Sequence, residues 1–434
     1  MNKLSINSIK LIISSMALLT QLTASEVRIE RDAQGHYTLL HNGKPTLVKG
    51  ANWPKAATVE ALSTAGGNSI RTYGDEIEWM LPLAKKHNLT ILAGIAIGRE
   101  RQGFNYDDQP ALDQQFEQIR ATVRKYKNEP EILMWAIGNE PDLLAKNTVP
   151  LWKEVNRIAR MIREEDPHHP IITVVAGFDE TKIRQLVEFC PDLDALGVNW
   201  YGPVRDWPQN LQKFGWTKPY LHTEFGPAGY WAGGGGHGNT KWGAPIEQTS
   251  TEKAAFYAEN WRNAVQARPG QSLGGYAFIW TDKQERTHTW FSMFLPTGER
   301  TAAVDAMQEA WTGRPPTNPA PEITEWQPER ASGEFQPGEP IRIGLRWQCG
   351  RPAKVAVEMR TETTAKGLGG DSEKKLTILP HCAWKEVSGG LEVIAPDSPG
   401  QYRVFIQITT QDHTAATANL PILVRQSADN SVKP

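Results

Sequence analysis

The chain has 434 residues, 39% of them hydrophobic and 22% charged, which is typical of a folded protein and long enough for two domains. Its formal net charge of −2 gives no indication of a nucleic-acid partner or of an anionic membrane surface as partner. The 16 tryptophans are many for such a chain, and they indicate either core packing or flat aromatic surfaces that bind a ligand.

The first residues have the features of a secretory signal. Lys3 and Lys10 precede the apolar stretch "LIISSMALL", and small residues near Ala24 suit a signal peptidase. Residues 1–24 are therefore predicted to be a cleaved signal peptide, because the apolar stretch is too short to span a bilayer permanently. No cysteine that could carry a lipid follows it, so no membrane anchor is expected. We expect a secreted or periplasmic protein.

The three cysteines do not form the even set that a disulfide framework needs. Cys349 and Cys382 lie in the same C-terminal region, and in an oxidising compartment they could either pair or remain free. Cys190 is expected to be a buried free thiol.

After a predicted hairpin at residues 26–45, apolar strands alternate with amphipathic helices. The strands are continuous apolar runs, as is typical of parallel strands buried on both faces. They number eight and cover residues 46–53, 68–73, 89–98, 131–140, 171–177, 193–202, 219–226 and 274–282. This pattern predicts a (β/α)8 TIM barrel over residues 25–313, including the hairpin. An open doubly wound sheet is the alternative, although no glycine-rich phosphate turn follows any strand.

The pattern changes beyond a proline-rich linker at residues 314–322. Short alternating strands separated by turns predict an immunoglobulin-like β-sandwich over residues 323–426, followed by a tail at residues 427–434. Within this domain, residues 364–375 have the composition of a flexible loop. The predicted fold class is therefore α/β, with a TIM barrel followed by a C-terminal β-sandwich.

Two glutamates follow predicted barrel strands: Glu140 in "GNEP" after the fourth, and Glu224 in "HTEFG" after the seventh. Because the active site of a TIM barrel lies at the carboxyl ends of the strands, both carboxyl groups are expected on one rim. Such a pair suits glycoside hydrolysis, in which one group protonates the leaving oxygen while the other attacks the anomeric carbon or activates a water. This chemistry needs no metal or other cofactor. The alternative is that both glutamates merely cap helix N-termini.

Over about residues 36–312, the chain resembles the clan A retaining glycoside hydrolases. "GNEP" is similar to the acid/base motif after the fourth strand of that clan, and "TEFG" is similar to the nucleophile motif after the seventh. "HNGKPTLVKGANW" resembles the barrel entrance of family 2, and "RTYG" with "ILAGIAIG" resembles the β-1,3-glucan enzymes of families 17 and 72. A barrel with a C-terminal immunoglobulin-like domain also resembles the family 158 endo-β-1,3-glucanases.

The resemblance implies roles for the residues that match. Glu140 would be the general acid/base and Glu224 the nucleophile, with Arg71 and Tyr201 keeping the nucleophile ionised and oriented. Asn139 would bond the sugar 2-hydroxyl, a contact that strengthens in the transition state. For Arg71, a plain ion pair inside the barrel is the alternative.

Three further side chains are expected at the same rim and in contact with substrate. Trp280 matches the tryptophan that lies under the sugar after the eighth strand of the clan, unless it is core filler. Asn199 ends the sixth strand. His222 has the same strand parity as Glu224, so it either faces the site or is a satisfied core histidine.

The longest loop, between the seventh and eighth strands, covers residues 225–245 and contains four successive glycines. Trp231 and Trp242 lie on either side of these glycines. The composition predicts a mobile aromatic lid or cleft wall that binds substrate, with a plain surface loop as the alternative.

We therefore expect a secreted retaining β-glycoside hydrolase that cleaves a polysaccharide by double displacement. Aromatics on several loops favour an endo-acting enzyme, and the resemblance favours a β-glucan, above all a β-1,3-glucan. Three alternatives are a β-glucan transglycosylase with the same residues, an exo-acting family 2-like β-glycosidase, and a non-catalytic polysaccharide-binding protein.

Overall fold

The computed structural model of the protein describes residues 25–204, 206–232, 237–330, 333–363, 369–370 and 373–426. The predicted signal peptide and C-terminal tail lie outside these residues, as do the four glycines 233–236 and most of the predicted loop at 364–375.

The predicted N-terminal hairpin is a small antiparallel sheet that closes the bottom of the barrel. Its strands are β1 (Val27–Arg31), β2 (Tyr37–His41) and β3 (Lys44–Pro45). The side chains of Val27 and Leu39 are buried in one cluster with residues of the barrel interior, such as Leu133 and Tyr276. The hairpin thus shields the amino-terminal end of the barrel interior from water, which leaves the carboxyl-terminal end for a site.

All eight predicted strands form one closed parallel barrel, so the open doubly wound sheet is excluded. Each is buried along nearly its whole length, which explains why the sequence shows continuous apolar runs. The strands are β4 (Val48–Asn52), β5 (Ser69–Arg71), β6 (Thr90–Ile95), β7 (Ile132–Ile137), β8 (Ile171–Ala176), β9 (Ala195–Asn199), β10 (Tyr220–Phe225) and β11 (Ser272–Ala277).

Eight helices follow the barrel strands, and several begin at side chains that cap them. Asn147 accepts a hydrogen bond from the N–H of Val149, and Thr249 and Glu252 form a capping box at the start of α7. The helices are α1 (Val59–Thr64), α2 (Ile77–Lys86), α3 (Gln109–Tyr126), α4 (Thr148–Glu165), α5 (Glu180–Phe189), α6 (Trp207–Lys213), α7 (Ser250–Asn260) and α8 (Ala302–Thr312).

Beyond α8 the chain forms a two-sheet β-sandwich, as predicted. One sheet has the order β13-β15-β18-β17; the other has the order β12-β20-β19-β16, with β14 also paired to β20. The short β12, which precedes α8, thereby joins the barrel to the sandwich. These strands are β12 (Arg300–Thr301), β13 (Glu322–Pro328), β14 (Glu334–Phe335), β15 (Pro340–Gln348), β16 (Ala353–Thr361), β17 (Trp384–Val387), β18 (Gly390–Ile394), β19 (Gly400–Thr410) and β20 (Thr414–Val424).

Polar contacts between the barrel and the sandwich are buried. Arg403, on β19, is fully buried and pairs with Glu362 of its own domain, while its guanidinium also donates to the carbonyl of Pro245 in a barrel loop over 2.9 Å. Nearby, the N–H of Thr417 donates to Ser250 at the start of α7 over 2.9 Å. Because such groups are costly to bury without partners, the two domains need each other at this interface.

The cysteines are all free in the structure, so the disulfide considered between Cys349 and Cys382 is not formed. Cys190 is buried, as expected. Within the described ranges, no helix has both the length and the apolar character required to cross a bilayer. In that same part of the chain, no group of three or more His, Cys, Asp or Glu side chains has the arrangement of a metal site.

Candidate active site

Glu140 and Glu224 lie on the same rim, at the carboxyl ends of β7 and β10, and both line one cleft. The chain leaves β7 through two residues with left-handed backbone conformation, Gly138 (φ +73°) and Glu140 (φ +50°). Such a φ is unfavourable for glutamate, and it is typical of residues that a functional site holds in place. The sharp exit turns the carboxyl group of Glu140 towards the centre of the rim.

Three donors surround the carboxylate of Glu224. Arg71 and the hydroxyl of Tyr73 donate to Oε1 over 2.9 and 2.8 Å, and the hydroxyl of Tyr201 donates to Oε2 over 2.6 Å. Burial and the neighbouring charge of Glu224 hold the pKa of each tyrosine well above its ordinary value, so both hydroxyls keep the proton that they donate. These three hydrogen bonds fix the position of the carboxylate of Glu224.

The environment of Glu140 is different. Its carboxyl group accepts a hydrogen bond from the side-chain amide of Asn199 over 2.8 Å. Burial, and then the nearby charge of Glu224, raise the pKa of Glu140 to about 7. A carboxyl group with this pKa can both hold and release a proton near neutral pH, as a general acid/base requires.

A buried network connects the two carboxyl groups. Arg71, which holds Glu224, also donates to the side-chain oxygens of Asn139 over 2.7 Å and of Asn199 over 3.3 Å. The amide of Asn199 donates in turn to Asn139 and Glu140 over 3.1 and 2.8 Å. The geometry of both carboxyl groups therefore depends on one arginine and one asparagine, and the amide group of Asn199 finds all its partners within the protein.

The cleft above the two glutamates has a volume of about 650 Å³. Its walls carry aromatic side chains and both signs of charge, as a site that packs sugar rings and bonds their hydroxyls would need. The aromatic residues are Trp53, Tyr73, Trp200, Tyr201, Tyr230, Trp231 and Phe278, and the charged residues besides the two glutamates are Glu76, Arg99, Arg101, Lys283 and Glu285.

Residues 84–277 match the family described as "Glycosyl hydrolases family 2, TIM barrel domain". Most of the barrel is therefore similar to a glycoside hydrolase domain. The match begins inside α2 and ends with β11, so it includes six of the eight barrel strands, β6 to β11. No curated protein sequence matches the chain.

Solved structures of β-glycosidases are similar to this chain in fold. The β-glucuronidase of Ruminococcus gnavus has a TM-score of 0.52 at 17% identity, with 67% of this chain and 53% of that chain covered. The β-glucuronidase of Bifidobacterium dentium, complexed with coumarin-3-O-glucuronide, has a TM-score of 0.51 at 19% identity, with coverage of 67% and 50%. The β-galacturonidase of Eisenbergiella tayi has a TM-score of 0.51 at 21% identity, with coverage of 67% and 54%.

The chain therefore spans about half the length of the solved structures that it matches. These findings support the expected likeness to clan A and to family 2, while the likeness to families 17, 72 and 158 stays a prediction.

The barrel brings most of the predicted site residues together, but two of them have a supporting position. Asn139, Tyr201 and Trp231 line the cleft. Arg71 is 1% exposed and lies beneath the cleft, and Asn199 uses its amide hydrogens and oxygen on protein partners. Arg71 donates to Glu224, as expected of the residue that orients the nucleophile, while Asn199, expected to contact substrate, borders the cleft and also donates to Glu140.

The expectation that His222 faces the site is wrong. Its ring is fully buried between the barrel and the helices, where it lies 5.1 Å from the ring of Trp207 on α6 and bonds the carbonyl of Trp200. The reason is a β-bulge: His222 pairs with Val198 and Glu224 with Asn199, so one extra residue separates them and their parity differs. Burial lowers the pKa of His222 to about 3, and its imidazole is a neutral core group.

The expectation that Trp280 lies under the sugar is also wrong. Its indole is fully buried, stacks on Trp311 with 5.6 Å between ring centroids, and donates to the carbonyl of Thr58. The chain leaves β11 at Ala277, so the aromatic ring that reaches the cleft is that of Phe278, two residues earlier. Trp280 packs the barrel against α8.

The predicted aromatic lid is only half correct. Trp231 lies in the cleft wall and remains 50% exposed. Trp242 instead rests on the sandwich, where a Cβ added at Gly333 would lie 2.9 Å from its ring. The two tryptophans therefore belong to different surfaces: Trp231 to the cleft, and Trp242 to the contact with the sandwich.

Several residues of the cleft were missed as site residues. Tyr73 lies two residues beyond Arg71, the last residue of β5, and its hydroxyl donates to Glu224. This spacing, which places alternate side chains on the same face of an extended chain, was the available signal. Lys283 and Glu285 form a buried ion pair in the loop after β11. No local pattern could have placed Gly369 and Gly370 of the sandwich in the cleft wall, since that depends on how two domains pack.

Proposed function

We propose that the protein is a retaining β-glycoside hydrolase with Glu224 as nucleophile and Glu140 as general acid/base. The single observation that supports this best is the contrast between the two carboxyl groups. Three donors, one of them Arg71, surround Glu224, whereas burial raises the pKa of Glu140 to about 7. A carboxylate held by three donors beside a carboxyl group with a raised pKa suits the nucleophile and the general acid/base of double displacement.

In the first step, an oxygen of Glu224 would bond to the anomeric carbon as the bond from that carbon to the leaving oxygen breaks. The proton of Glu140 passes to the leaving oxygen. In the second step, ionised Glu140 takes a proton from a water whose oxygen bonds to the anomeric carbon, and the bond to Glu224 breaks. Asn139 supports the sugar, since its amide oxygen is held by Arg71 while its amide nitrogen has no partner within the described residues.

For the substrate, we propose a β-glucan cleaved at internal bonds, with β-1,3-glucan favoured by the sequence resemblance. Support comes from aromatic side chains on separate loops of the cleft. Trp53 follows β4, Trp200 follows β9 and Trp231 follows β10, and Trp53 and Trp231 are 39% and 50% exposed. Separated aromatic faces suit several sugar rings of one chain better than a single ring.

An exo-acting β-glycosidase that removes a uronic acid is the second candidate. The neighbours in fold include proteins described as β-glucuronidases and a β-galacturonidase. The cleft of this chain contains three cationic side chains, Arg99, Arg101 and Lys283, that could face a carboxylate. Glu76 and Glu285 lie in the same walls and reduce the net positive charge.

A panel of polysaccharides and aryl β-glycosides, including β-glucuronides, tests these proposals by product sizing. Short oligosaccharides from β-1,3-glucan support internal cleavage, and release of uronic acid alone supports the second candidate. Products longer than the starting oligosaccharide would identify a transglycosylase. Glu224→Gln should abolish turnover, and full activity of this variant would refute the site.

Glu140→Gln tests the acid role separately. The loss should be about 10²- to 10⁴-fold on a natural glycoside, whose leaving oxygen needs a proton. On a dinitrophenyl glycoside the first step needs no proton, so the loss in that step should be much smaller. Equal losses on both substrates would show that Glu140 is not the acid.

We also propose that the protein is exported, on the basis of the signal-like residues 1–24 alone. Sequencing the N-terminus of the mature protein from fractionated cells tests this. An intact N-terminus in the cytoplasmic fraction would refute it.

A further inference from the structure

The sandwich reaches the substrate cleft of the barrel through one short turn. Gly369 and Gly370 line the cleft together with Trp231 and Glu285. The N–H of Gly370 donates to Oε1 of Glu285 over 3.0 Å, across the boundary between the domains. One residue further along the barrel loop, the N–H of Arg286 donates to Oε2 of Glu373 over 2.8 Å. Two adjacent hydrogen bonds, one in each direction, therefore fix the turn to the loop after β11.

Glu285 is well suited to hold the turn. Its side chain is 2% exposed, and its other carboxylate oxygen pairs with Lys283. A buried carboxylate with one fixed cation and one backbone donor has little freedom to move, so the position of Gly370 is set by the barrel.

The two glycines are needed for different reasons. Gly370 has φ +85°, which a side chain would disfavour. A Cβ added at Gly369 would lie 2.9 Å from the ring of Trp231, closer than real Cβ contacts allow. Gly229 packs on the other edge of the same ring, where an added Cβ would lie 2.2 Å away. The indole of Trp231 thus lies between one glycine of the barrel and one glycine of the sandwich.

Trp231 connects this turn to the nucleophile. Its ring centroid lies 5.5 Å from that of Tyr201, and the hydroxyl of Tyr201 donates to Glu224. Half of the indole nevertheless remains exposed towards the cleft. An exposed, braced aromatic face next to the nucleophile is a surface on which a sugar ring can pack.

We propose that Trp231 and the Gly369–Gly370 turn form a sugar-binding subsite next to the sugar that Glu224 attacks, so that the sandwich takes part in selecting the length of the glycone. This inference rests on the proposed glycosidase function. The sandwich then does more than stabilise the barrel, because its turn determines where the indole of Trp231 lies.

The test uses the full-length protein and aryl β-glycosides with one leaving group and a glycone of one, two or three residues of the best polysaccharide in the panel. The measured quantity is the ratio of kcat/KM for the three-residue glycone to that for the one-residue glycone. For Gly369→Ala and Trp231→Ala this ratio should fall about fivefold, as expected for loss of an aromatic contact of about 1 kcal/mol. Gly350→Ala is the matched control, because nothing lies within 4 Å of a Cβ at this sandwich glycine, and it should keep the wild-type ratio.

Each outcome has a distinct meaning. A lower melting temperature of Gly369→Ala with an unchanged ratio would show that the turn only braces the barrel, and would overturn the inference. An unchanged ratio in Trp231→Ala overturns it even if Gly369→Ala does not fold. Absence of turnover by the wild-type protein on all glycosides and polysaccharides overturns the proposed function itself.

Discussion

The side-chain amide of Asn199 donates to the carboxyl group of Glu140 over 2.8 Å. The oxygen of the same amide accepts from Arg71 over 3.3 Å, and Arg71 in turn holds Glu224. Asn199 is 3% exposed and is placed by the last position of β9. One buried asparagine therefore orients the acid and connects it to the arginine that orients the nucleophile.

Asn199→Ala should move the alkaline limb of the pH–rate profile to higher pH. The hydrogen bond from Asn199 stabilises ionised Glu140 and lowers its pKa, so its loss raises the pKa above about 7 and keeps the acid protonated further into the alkaline range. We expect kcat/KM to fall at the optimum as well, because the carboxyl group loses its anchor. The measurement is kcat/KM from pH 5 to 9.

Asn156→Ala is a suitable control, since Asn156 is also a buried asparagine but lies on α4 and bonds Asp192, away from the cleft. Its pH profile should coincide with that of the wild type. A limb of Asn199→Ala that stays in place or moves to lower pH would contradict the assigned role.

Glu140→Gln should stabilise the fold at alkaline pH. Burial raises the pKa of Glu140 from 4.5 to about 7, so ionisation of this group is less favourable in the folded state than in the unfolded state. The free energy of unfolding of the wild type therefore falls as the pH rises from 4.5 to 7. Glutamine avoids that cost. The gain in the free energy of unfolding should reach up to about 3 kcal/mol at pH 8 and vanish near pH 4.

Thermal unfolding at the two pH values measures the difference. Glu78→Gln, at an exposed position on α2, should change the melting temperature little at either pH. If Glu140→Gln were no more stable than the wild type at pH 8, the folded state would not raise the pKa of Glu140.

The barrel and its two glutamates could be predicted because both depend on local sequence. The strand β7 consists of six buried residues, Ile132–Ile137, and such a short apolar run, ended by glycine and proline, is typical of a parallel strand covered on both faces. The position of Glu140 and Glu224 on the same rim could be predicted from their places at strand ends, since every parallel strand of a barrel presents its carboxyl end on one rim.

The positions that were predicted wrongly depend on pairing and packing at a distance. The parity of His222 changes because of a bulge in the register between β9 and β10, which no alternation within β10 reveals. Phe278 reaches the cleft in place of the expected Trp280 because β11 ends at Ala277. The contact of Gly370 with Glu285 joins residues 85 positions apart on two domains.

Trp280→Ala should destabilise the protein without weakening substrate binding. The indole is fully buried against Trp311, so its removal leaves a cavity and should lower the free energy of unfolding by about 3–5 kcal/mol. Trp231→Ala is the opposite case, because its indole is half exposed in the cleft: we expect a higher KM for polysaccharide and a small loss of stability. Denaturant unfolding and KM for both variants check this, and a raised KM for Trp280→Ala would restore it as a binding residue.

Arg403→Ala, at the domain interface, should lower the free energy of unfolding without changing catalysis by the folded protein. Arg403 and Glu362 are both almost fully buried, so truncation of the arginine leaves an unpaired carboxylate and also removes the donor to Pro245 of the barrel. The free energy of unfolding should fall by about 3–5 kcal/mol, as for other buried pairs that lose one partner. Arg346→Ala removes an exposed partner of Glu325 and should have little effect.

The double variant Arg403→Met/Glu362→Leu distinguishes the cost of an unpaired charge from the value of the pair. It removes both charges while filling similar space, and it should recover most of the stability lost in Arg403→Ala. The variants are compared by urea unfolding, and their KM for an aryl glycoside should equal that of the wild type wherever they remain folded. If the double variant were as unstable as Arg403→Ala, the hydrogen bond from Arg403 to the barrel, and not the charge on Glu362, would be the main contribution of this residue.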